Sequence, residues 1–291
     1  MQRIAELFIA SVLLAGLYAT MAYGLGLIYG VLRVVNLAHG GVIMAGAYAG
    51  WWLHSSFGVD PYLSLLPVSA VAFGFGVVMY RGLVYRLPRG AAGGVQSLLL
   101  LFGVWLILRN VAYLLFTGND QTLRTGYSTR ALVIGQASVS VNRVAVFGIA
   151  LVMLLVLHVL LRHTYVGKAI RAVAQNPESC TLVGIRIERI YALTFGLGTA
   201  LAAAAGLLGA TLFPFSPSFG SAELLKSFVV VVLGGLGSVA GTAIAALILA
   251  TVEVFAILVI PAYLTAAVGF VLLVLVLVVR PGGLFGQRVL G

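Results

Sequence analysis

Few side chains in this sequence could perform chemistry, and they do not group into a catalytic set. Seven acidic residues, four histidines and one cysteine are spread over 291 residues. Cys180 has no second cysteine with which to form a disulfide. Only His158 and His163 among the histidines lie close together in sequence. The sequence therefore indicates no metal centre and no Ser/His/acid triad.

Two glycine-containing stretches resemble nucleotide-binding motifs without meeting their requirements. Gly167-Lys168 is followed by Ala169, and no glycine precedes it at the position that a phosphate loop requires. The stretch 24–30 has its third glycine one residue late for a dinucleotide fingerprint and lies within an apolar run, where small residues pack helices together. We expect no nucleotide site, no cofactor and no enzymatic activity, so energy for moving a solute must come from a partner or an ion gradient.

Asn36 and His39 are polar residues between two apolar runs, with Gly30 and Gly40 on either side. Polar side chains and irregular backbone are tolerated at membrane depth where they are buried in protein or line a watery cavity. Broken helices in transporters also present free N–H groups to anionic parts of a substrate. The alternative is an ordinary turn in which Asn36 caps the following helix.

The stretch 164–190 contains a strong helix start at Asn176-Pro177-Glu178. Asn suits the capping position, Pro the first helical position, and Glu the positive end of the helix dipole. Gly184 is a plausible stop, so a short helix is predicted over about 177–183. Such a helix in a basic loop suits docking on a partner; the alternative is an amphipathic helix on lipid headgroups.

A third stretch combines a charge pair with a glycine cluster. Glu223 and Lys226 are three residues apart, a spacing that places both on one helix face. Gly234, Gly235 and Gly237 follow, which predicts either a helix break or close backbone approach. Tight packing alone is the alternative for these glycines.

The composition is that of a membrane protein. Hydrophobic residues make up 62% of the chain and charged residues 8%, whereas soluble domains carry about 25% charged residues. Uncharged windows long enough to cross a bilayer are 7–32, 34–59, 61–80, 90–108, 144–161, 190–222, 227–252 and 254–279. Because the glycine cluster splits one window, we expect an all-α bundle with about nine membrane segments, some short or broken. The first window is too long for a secretory signal and is read as a retained span.

Lys and Arg orient the segments. With the N-terminus outside, eleven of the 17 basic residues fall in cytoplasmic loops or at the cytoplasmic C-terminus, and four fall outside. The net charge of +10 is therefore explained by basic residues at the ends of loops, and it does not indicate nucleic-acid binding. The loop 117–142 is expected outside and the basic loop 162–190 inside. Neither is long enough for a globular domain, so residues 1–291 are expected to form a single transmembrane domain.

Taken in order, these stretches resemble the permease subunits of branched-chain amino acid ABC importers. The matching motifs are Tyr29-Gly30 with NLAHG at 36–40, AQNPE at 174–178, LVGI at 182–185, the alanine- and glycine-rich LTFGLGTALAAAAGLLGA, KSFVVVVLGGLGSVAG at 226–241, and VVRPGGLFG at 278–286. Arg186 and Arg189, directly after LVGI, depart from the mixed polar pattern expected there.

The resemblance implies a bacterial inner-membrane permease that carries branched-chain or related amino acids or amides. Its implied partners are a second related permease, two cytoplasmic ATPases and a periplasmic binding protein, with 177–185 as the helix that couples to the ATPases. The expected coupling residues are Gly167, Lys168, Asn176, Pro177, Glu178, Leu182 and Gly184; the expected pathway or gate residues are Asn36, His39, Gly40, Gly234, Gly235 and Gly237.

Two rival functions remain open at this stage. An ion-coupled secondary carrier would need ionisable relay groups within the membrane, and Glu253, His158 and Arg109 are the available residues. A membrane enzyme is disfavoured, because no acid, base and nucleophile converge.

Overall fold

The described residues fold into a helical bundle with a small β-hairpin. The structure is a computed structural model and describes residues 2–87, 91–127, 130–134, 137–235, 238–261, 264–280 and 282–285. Its helices are α1 (Gln2–Leu32), α2 (Ala38–Phe57), α3 (Leu65–Gly82), α4 (Ala91–Phe116), α5 (Val141–His163), α6 (Tyr165–Gln175), α7 (Pro177–Leu182), α8 (Ile187–Leu212), α9 (Phe219–Gly234), α10 (Val239–Ala256) and α11 (Thr265–Val279). A 3-10 turn, Val84–Arg86, follows α3. Strands β1 (Ala131–Ile134) and β2 (Ala137–Ser140) pair antiparallel.

Nine of these helices correspond in order to the nine predicted membrane segments. α1, α3, α4, α5 and α8 are long and apolar enough to cross a membrane, whereas α10 and α11 contain shorter apolar stretches. α2 and α9 are the predicted segments beside the two polar or glycine-rich stretches. The prediction of an all-α polytopic bundle is thus confirmed, apart from the hairpin.

α8 is the central helix of the bundle. Its most apolar window is 83% buried, far more than the windows of α4 or α5. Its alanines and glycines let neighbouring backbones approach closely, as small residues do between membrane helices. A Cβ placed on Gly46 of α2 would lie 2.0 Å from the Ala203 carbonyl oxygen of α8. The α2–α8 contact is therefore a contact of backbones.

The bundle has two distinct ends. At one end, hereafter the α6–α7 end, Ile170 of α6 and Cys180 of α7 pack with Val31 of α1 and Ile190 of α8. At the other, the hairpin end, Gln121 forms an isolated β-bridge with Phe215. These contacts place the end of α1 and the start of α8 at the same end of the bundle.

Several boundaries differ from those predicted. α4 continues past Arg109 because the guanidinium lies over the rings of Trp105 and Tyr113, at 5.4 and 5.5 Å, rather than in bare hydrocarbon. α8 ends at Leu212, and an irregular segment precedes α9, so the window 190–222 is not one helix. The loop 117–142 contains the hairpin, and 162–190 is largely helical.

Candidate translocation and coupling sites

The first predicted stretch forms a break between α1 and α2. Residues 33–37 are not helical, and Arg33 has a positive φ of 58°. α2 begins at Ala38 with Leu37 in the capping position and no side-chain cap. The alternative in which Asn36 caps α2 is therefore wrong, since its side chain makes no such bond.

Asn36 and His39 are buried polar groups with unmet hydrogen-bonding capacity. They are 1% and 0% exposed. His39 Nε2 lies 2.9 Å from the Met21 carbonyl oxygen, and because a carbonyl only accepts, Nε2 carries the proton. His39 Nδ1 and both polar atoms of the Asn36 amide have no partner among the described residues. Orphaned buried polar atoms are costly and call for an explanation, which function often supplies.

This break lies beside the interior of α1 rather than beyond its end. The His39 ring reaches the backbone at Met21 and packs within 3.0 Å of a Cβ placed on Gly24. Those residues lie eight to eleven positions before Leu32, which corresponds to about 12 to 17 Å along a helix. The segment 33–37 thus runs back along α1, and α2 starts inside the bundle.

The start of α2 is enclosed by backbone contacts at glycines. A Cβ on Gly40 would lie 2.3 Å from the carbonyl oxygen of Gly220 in α9. A Cβ on Gly24 of α1 would lie 2.6 Å from the carbonyl oxygen of Gly198 in α8. We call these two contacts the glycine seam; no side chain could be inserted there without moving a helix.

The glycine cluster forms a second close contact, at the far end of α9. A Cβ on Gly234 would lie 2.6 Å from the Gly241 carbonyl carbon of α10, and Gly235 has a φ of 90°. Ser238 caps α10 by accepting a bond from Gly241 N at 3.0 Å. Gly237 lies outside the described residues. Because Gly220 and Gly234 are fourteen residues apart on α9, about 21 Å, the two predicted gate regions are not brought together.

The predicted Glu223–Lys226 pair is present, and it belongs to a larger cluster. Lys226 Nζ lies 3.0 Å from Glu223 Oε1 and 3.1 Å from the hydroxyl of Tyr18 on α1. That hydroxyl donates to Glu253 Oε2 on α10. Sequence reasoning missed Tyr18, because a tyrosine in an apolar helix carries no sequence signal. The cluster joins three helices through buried Tyr18, Glu223 and Glu253 and the partly exposed Lys226.

The predicted coupling helix is α7. Asn176 Oδ1 accepts a bond from Ser179 N at 3.0 Å, Pro177 stands at the first position, and Gly184 has a φ of 79°. The cap and the stop are therefore confirmed, with the helix ending at Leu182 instead of 183. The preceding helix α6 was not predicted, although Val166, Ile170 and Val173 recur at helical spacing.

α7 presents an apolar tip to the surroundings while its base is anchored. Leu182 and Val183 are 88% and 75% exposed, and Glu178 and Lys168 are exposed as well. Gly167, in contrast, is buried where a Cβ would lie 2.2 Å from the Leu160 carbonyl oxygen. Gly167 is thus a packing position. Lys168 is exposed beside it on α6, and the remaining predicted coupling residues lie on α7 or directly next to it.

A polar network joins the loops at the hairpin end. Asp60 accepts bonds from Tyr62 N at 2.8 Å and from the Tyr127 hydroxyl at 2.9 Å. The Tyr62 hydroxyl donates to Asn142 Oδ1, and Asn142 Nδ2 donates to the Thr211 carbonyl at 2.6 Å. Burial raises the pKa of Tyr62 to about 12, with Asp60 contributing in the same direction. Sequence reasoning found none of these residues, because loop contacts have no periodicity.

A pocket of about 590 Å³ with both polar and apolar lining residues lies beside this network. It is lined by the start of α1, the hairpin and the end of α8, and includes Glu6, Arg124 and Arg143. Both signs of charge therefore face an open pocket at the hairpin end.

The structure combines long apolar helices with a helix that starts inside the bundle and has buried polar atoms beside it. These features define a multi-pass membrane protein of the transporter class. The family model described as the permease component of branched-chain amino acid transport systems matches residues 7–279. The chain belongs to that family.

Curated relatives agree with this assignment. The chain is 31% identical to the high-affinity branched-chain amino acid transport system permease protein LivH of Escherichia coli K12, over 95% of this chain and 93% of LivH. It is 32% identical to the corresponding protein BraD of Pseudomonas aeruginosa, over 93% and 92%. The ribose import permease protein RbsC of E. coli K12 is 28% identical over 79% and 71%. No solved structure matches the chain.

Proposed function

We propose that this chain is the permease subunit of an ABC importer that moves branched-chain or related amino acids or amides across the bacterial inner membrane. Its partners are a second related permease, two cytoplasmic ATPases and a periplasmic solute-binding protein. The whole chain acts as one transmembrane domain. The observation that carries the proposal is α7, a capped helix whose apolar tip is exposed and whose base is packed against a membrane helix.

The distribution of charge supports an orientation with the N-terminus outside and the α6–α7 end in the cytoplasm. Described basic residues at the α6–α7 end include Arg81, Arg86, Arg162, Lys168, Arg171, Arg186 and Arg189. Those at the hairpin end include Arg124, Arg130 and Arg143. Cytoplasmic loops are enriched in Lys and Arg, so the larger group belongs inside.

The contacts of α7 suggest how an ATPase would move the permease. An ATPase groove that holds Leu182 and Val183 pulls on α7, whose Cys180 packs in one cluster with Val31 and Ile170. Val31 lies in the last turn of α1, directly before the break at 33–37. Movement of α7 is therefore passed to the start of α2.

The start of α2 is suited to the solute that we propose. Its N-terminus has no side-chain cap, and although the backbone N–H of His39 donates to the Asn36 carbonyl oxygen, the positive end of the dipole is left without a partner side chain and suits a carboxylate. The orphaned atoms of Asn36 and His39 provide further polar partners once the glycine seam opens. These groups would line or gate the path in alternating access.

The coupling proposal is tested with Leu182→Asp and a matched control. Since Leu182 is almost fully exposed, its replacement should leave folding and insertion normal while abolishing ATPase co-purification and ATP-dependent uptake into proteoliposomes. The control, Leu132→Asp on β1, places the same charge at the opposite end and should retain both. Normal uptake by the Leu182→Asp complex would overturn the proposal.

Orientation is tested by introduced cysteines in a Cys180→Ala background. An impermeant thiol reagent should label Ser179→Cys from the cytoplasmic side and Ser138→Cys from the other side, because both residues are exposed. The reverse pattern would contradict the proposed topology.

An ion-coupled carrier is the second candidate, favoured by one observation. Glu253 is buried in the membrane domain with an unpartnered oxygen, as a relay group would be. Collapse of uptake by an ionophore, at constant ATP in the same proteoliposomes, would favour this carrier over the importer.

A further inference from the structure

The cluster of Tyr18, Glu223, Lys226 and Glu253 contains more negative than positive charge. Lys226 supplies one ammonium group, and the two glutamates supply two carboxyl groups. The charged and titratable groups that act on Glu253 are Lys226, Tyr18 and Glu223. α10 has no other ionisable side chain, and α11, which packs on it, has none. If both carboxyl groups were ionised, a net negative charge would remain within the bundle.

Such a charge is energetically unfavourable where the two carboxyl groups lie. Both glutamates are buried, Glu223 at 5% and Glu253 at 6% exposure. An unpaired buried carboxylate has a large desolvation cost, and the usual outcome is that the group takes up a proton. The cluster therefore needs one additional positive charge.

Each carboxyl group has one buried oxygen without a hydrogen-bond partner among the described residues, Glu223 Oε2 and Glu253 Oε1, and the two groups differ in their contact with Lys226. Glu223 Oε1 is in direct contact with the Lys226 ammonium at 3.0 Å, which stabilises its ionised form. Glu253 receives only the phenol of Tyr18, and that phenol is itself a hydrogen-bond acceptor for Lys226. Glu253 is thus separated from the ammonium by a neutral group.

The free oxygen of Glu253 lies where a proton can reside. Glu253 Oε1 has no hydrogen-bond partner among the described residues, and a Cβ on Gly269 of α11 would lie 3.8 Å from it. That oxygen faces an apolar helix, a surrounding that disfavours a full charge on it.

We propose that Glu253 is a proton-binding site, held as a neutral carboxylic acid with the proton on Oε1 and with Oε2 accepting the Tyr18 bond. The cluster is then one ion pair, one phenol and one carboxylic acid, without net charge. This inference does not depend on the solute or on the ATPases. The proposed proton lies on Glu253 of α10, where this helix meets α1 and α11.

Infrared spectroscopy on the purified full-length permease complex tests the proposal directly. The difference between the native protein and Glu253→Gln should contain the C=O stretching band of a carboxylic acid, shifted in D₂O. Because the chain has only seven acidic residues, its own background is small. A difference spectrum with carboxylate bands and no carboxylic acid band would overturn the proposal.

Tyr18→Phe provides a second spectroscopic test with a variant that keeps the ring. Loss of the phenol hydroxyl frees the Oε2 carbonyl, so the same band should persist and move to higher frequency. A native band that does not respond to Tyr18→Phe would refute the assignment to Glu253.

Thermal unfolding tests the charge count with a set of three variants. Lys226→Gln leaves Glu223 buried without its ion pair, and its unfolding midpoint should fall sharply. Glu223→Gln/Lys226→Gln removes the pair as a unit, and most of that loss should be recovered if Glu253 is neutral. Glu253→Gln should remain close to the native midpoint. A double variant as unstable as Lys226→Gln would contradict the proposal.

Discussion

Gly40 and Gly41 offer a stringent test of the glycine seam, because they are adjacent and differ in what surrounds them. A Cβ on Gly40 would lie 2.3 Å from the Gly220 carbonyl oxygen and 2.9 Å from Leu224 Cβ. A Cβ on Gly41 would meet Leu108, nearest at its Cδ1 atom at 2.9 Å. The first neighbour is backbone of another helix, and the second is the mobile end of a side chain.

The expected magnitude follows from these distances. Ordinary contact begins near 3.4 Å, so Gly40→Ala requires the start of α2 and α9 to separate by about 1 Å. Overpacking of this kind costs about 1–3 kcal/mol. Gly41→Ala requires only a small shift of Leu108, and we expect it to cost less than about 1 kcal/mol, since alanine also favours the helix by a similar amount.

The assay is the thermal unfolding midpoint of each purified variant, together with solute uptake in proteoliposomes. Gly40→Ala should be clearly less stable than Gly41→Ala and should transport less. Gly74→Ala on α3, where nothing lies within 4 Å, serves as a neutral control. Equal midpoints and equal uptake for all three variants would refute the reasoning.

Three further predictions concern capping and the network at the hairpin end. Tyr127→Phe removes a bond to the Asp60 carboxylate and should cost about 1 kcal/mol in thermal unfolding, whereas an unchanged midpoint would show that the bond contributes nothing. Folding raises the pKa of Tyr62 from 10.0 to about 12, so the contribution of this shift to stability is complete below pH 10 and is lost as the pH approaches 12. Unfolding midpoints measured over that pH range test this prediction, with Tyr62→Phe as the control. Asn176→Ala and Ser238→Ala each remove a helix cap worth about 1 kcal/mol, so amide exchange should accelerate in the first turn of α7 or α10 respectively and remain native in the other helix.

Local chemistry made part of the fold predictable. Asn176, Pro177 and Gly184 determine the start and the end of α7 through a cap, a fixed φ and a left-handed backbone, all encoded within a few residues. The membrane segments were equally predictable, because a helix that crosses the bilayer requires a long apolar run in the sequence. The pairing of Glu223 with Lys226 followed from helix geometry alone.

Contacts between distant segments could not be predicted in the same way. Nothing near Tyr18 in sequence indicates that its hydroxyl meets Glu253, 235 residues away. The search for uncharged windows ended one predicted segment before Arg109. It takes no account of the aromatic rings that lie against this guanidinium. The course of residues 33–37 back along α1 depends on the packing of α2, which no local pattern encodes.

The glycine seam has a mechanical consequence. The nearest contact at Gly40 is with the peptide group of Gly220 and the nearest at Gly24 is with that of Gly198, so few side chains must change rotamer when the helices separate there. What resists parting is the loss of close packing between the helices, whereas hydration of the newly exposed groups favours it, and Asn36 and His39 lie beside the seam with hydrogen-bonding sites that water can occupy. We therefore expect hydration of the start of α2 and its separation from the neighbouring helices to occur together. Small changes in local polarity should then alter how often the glycine seam opens.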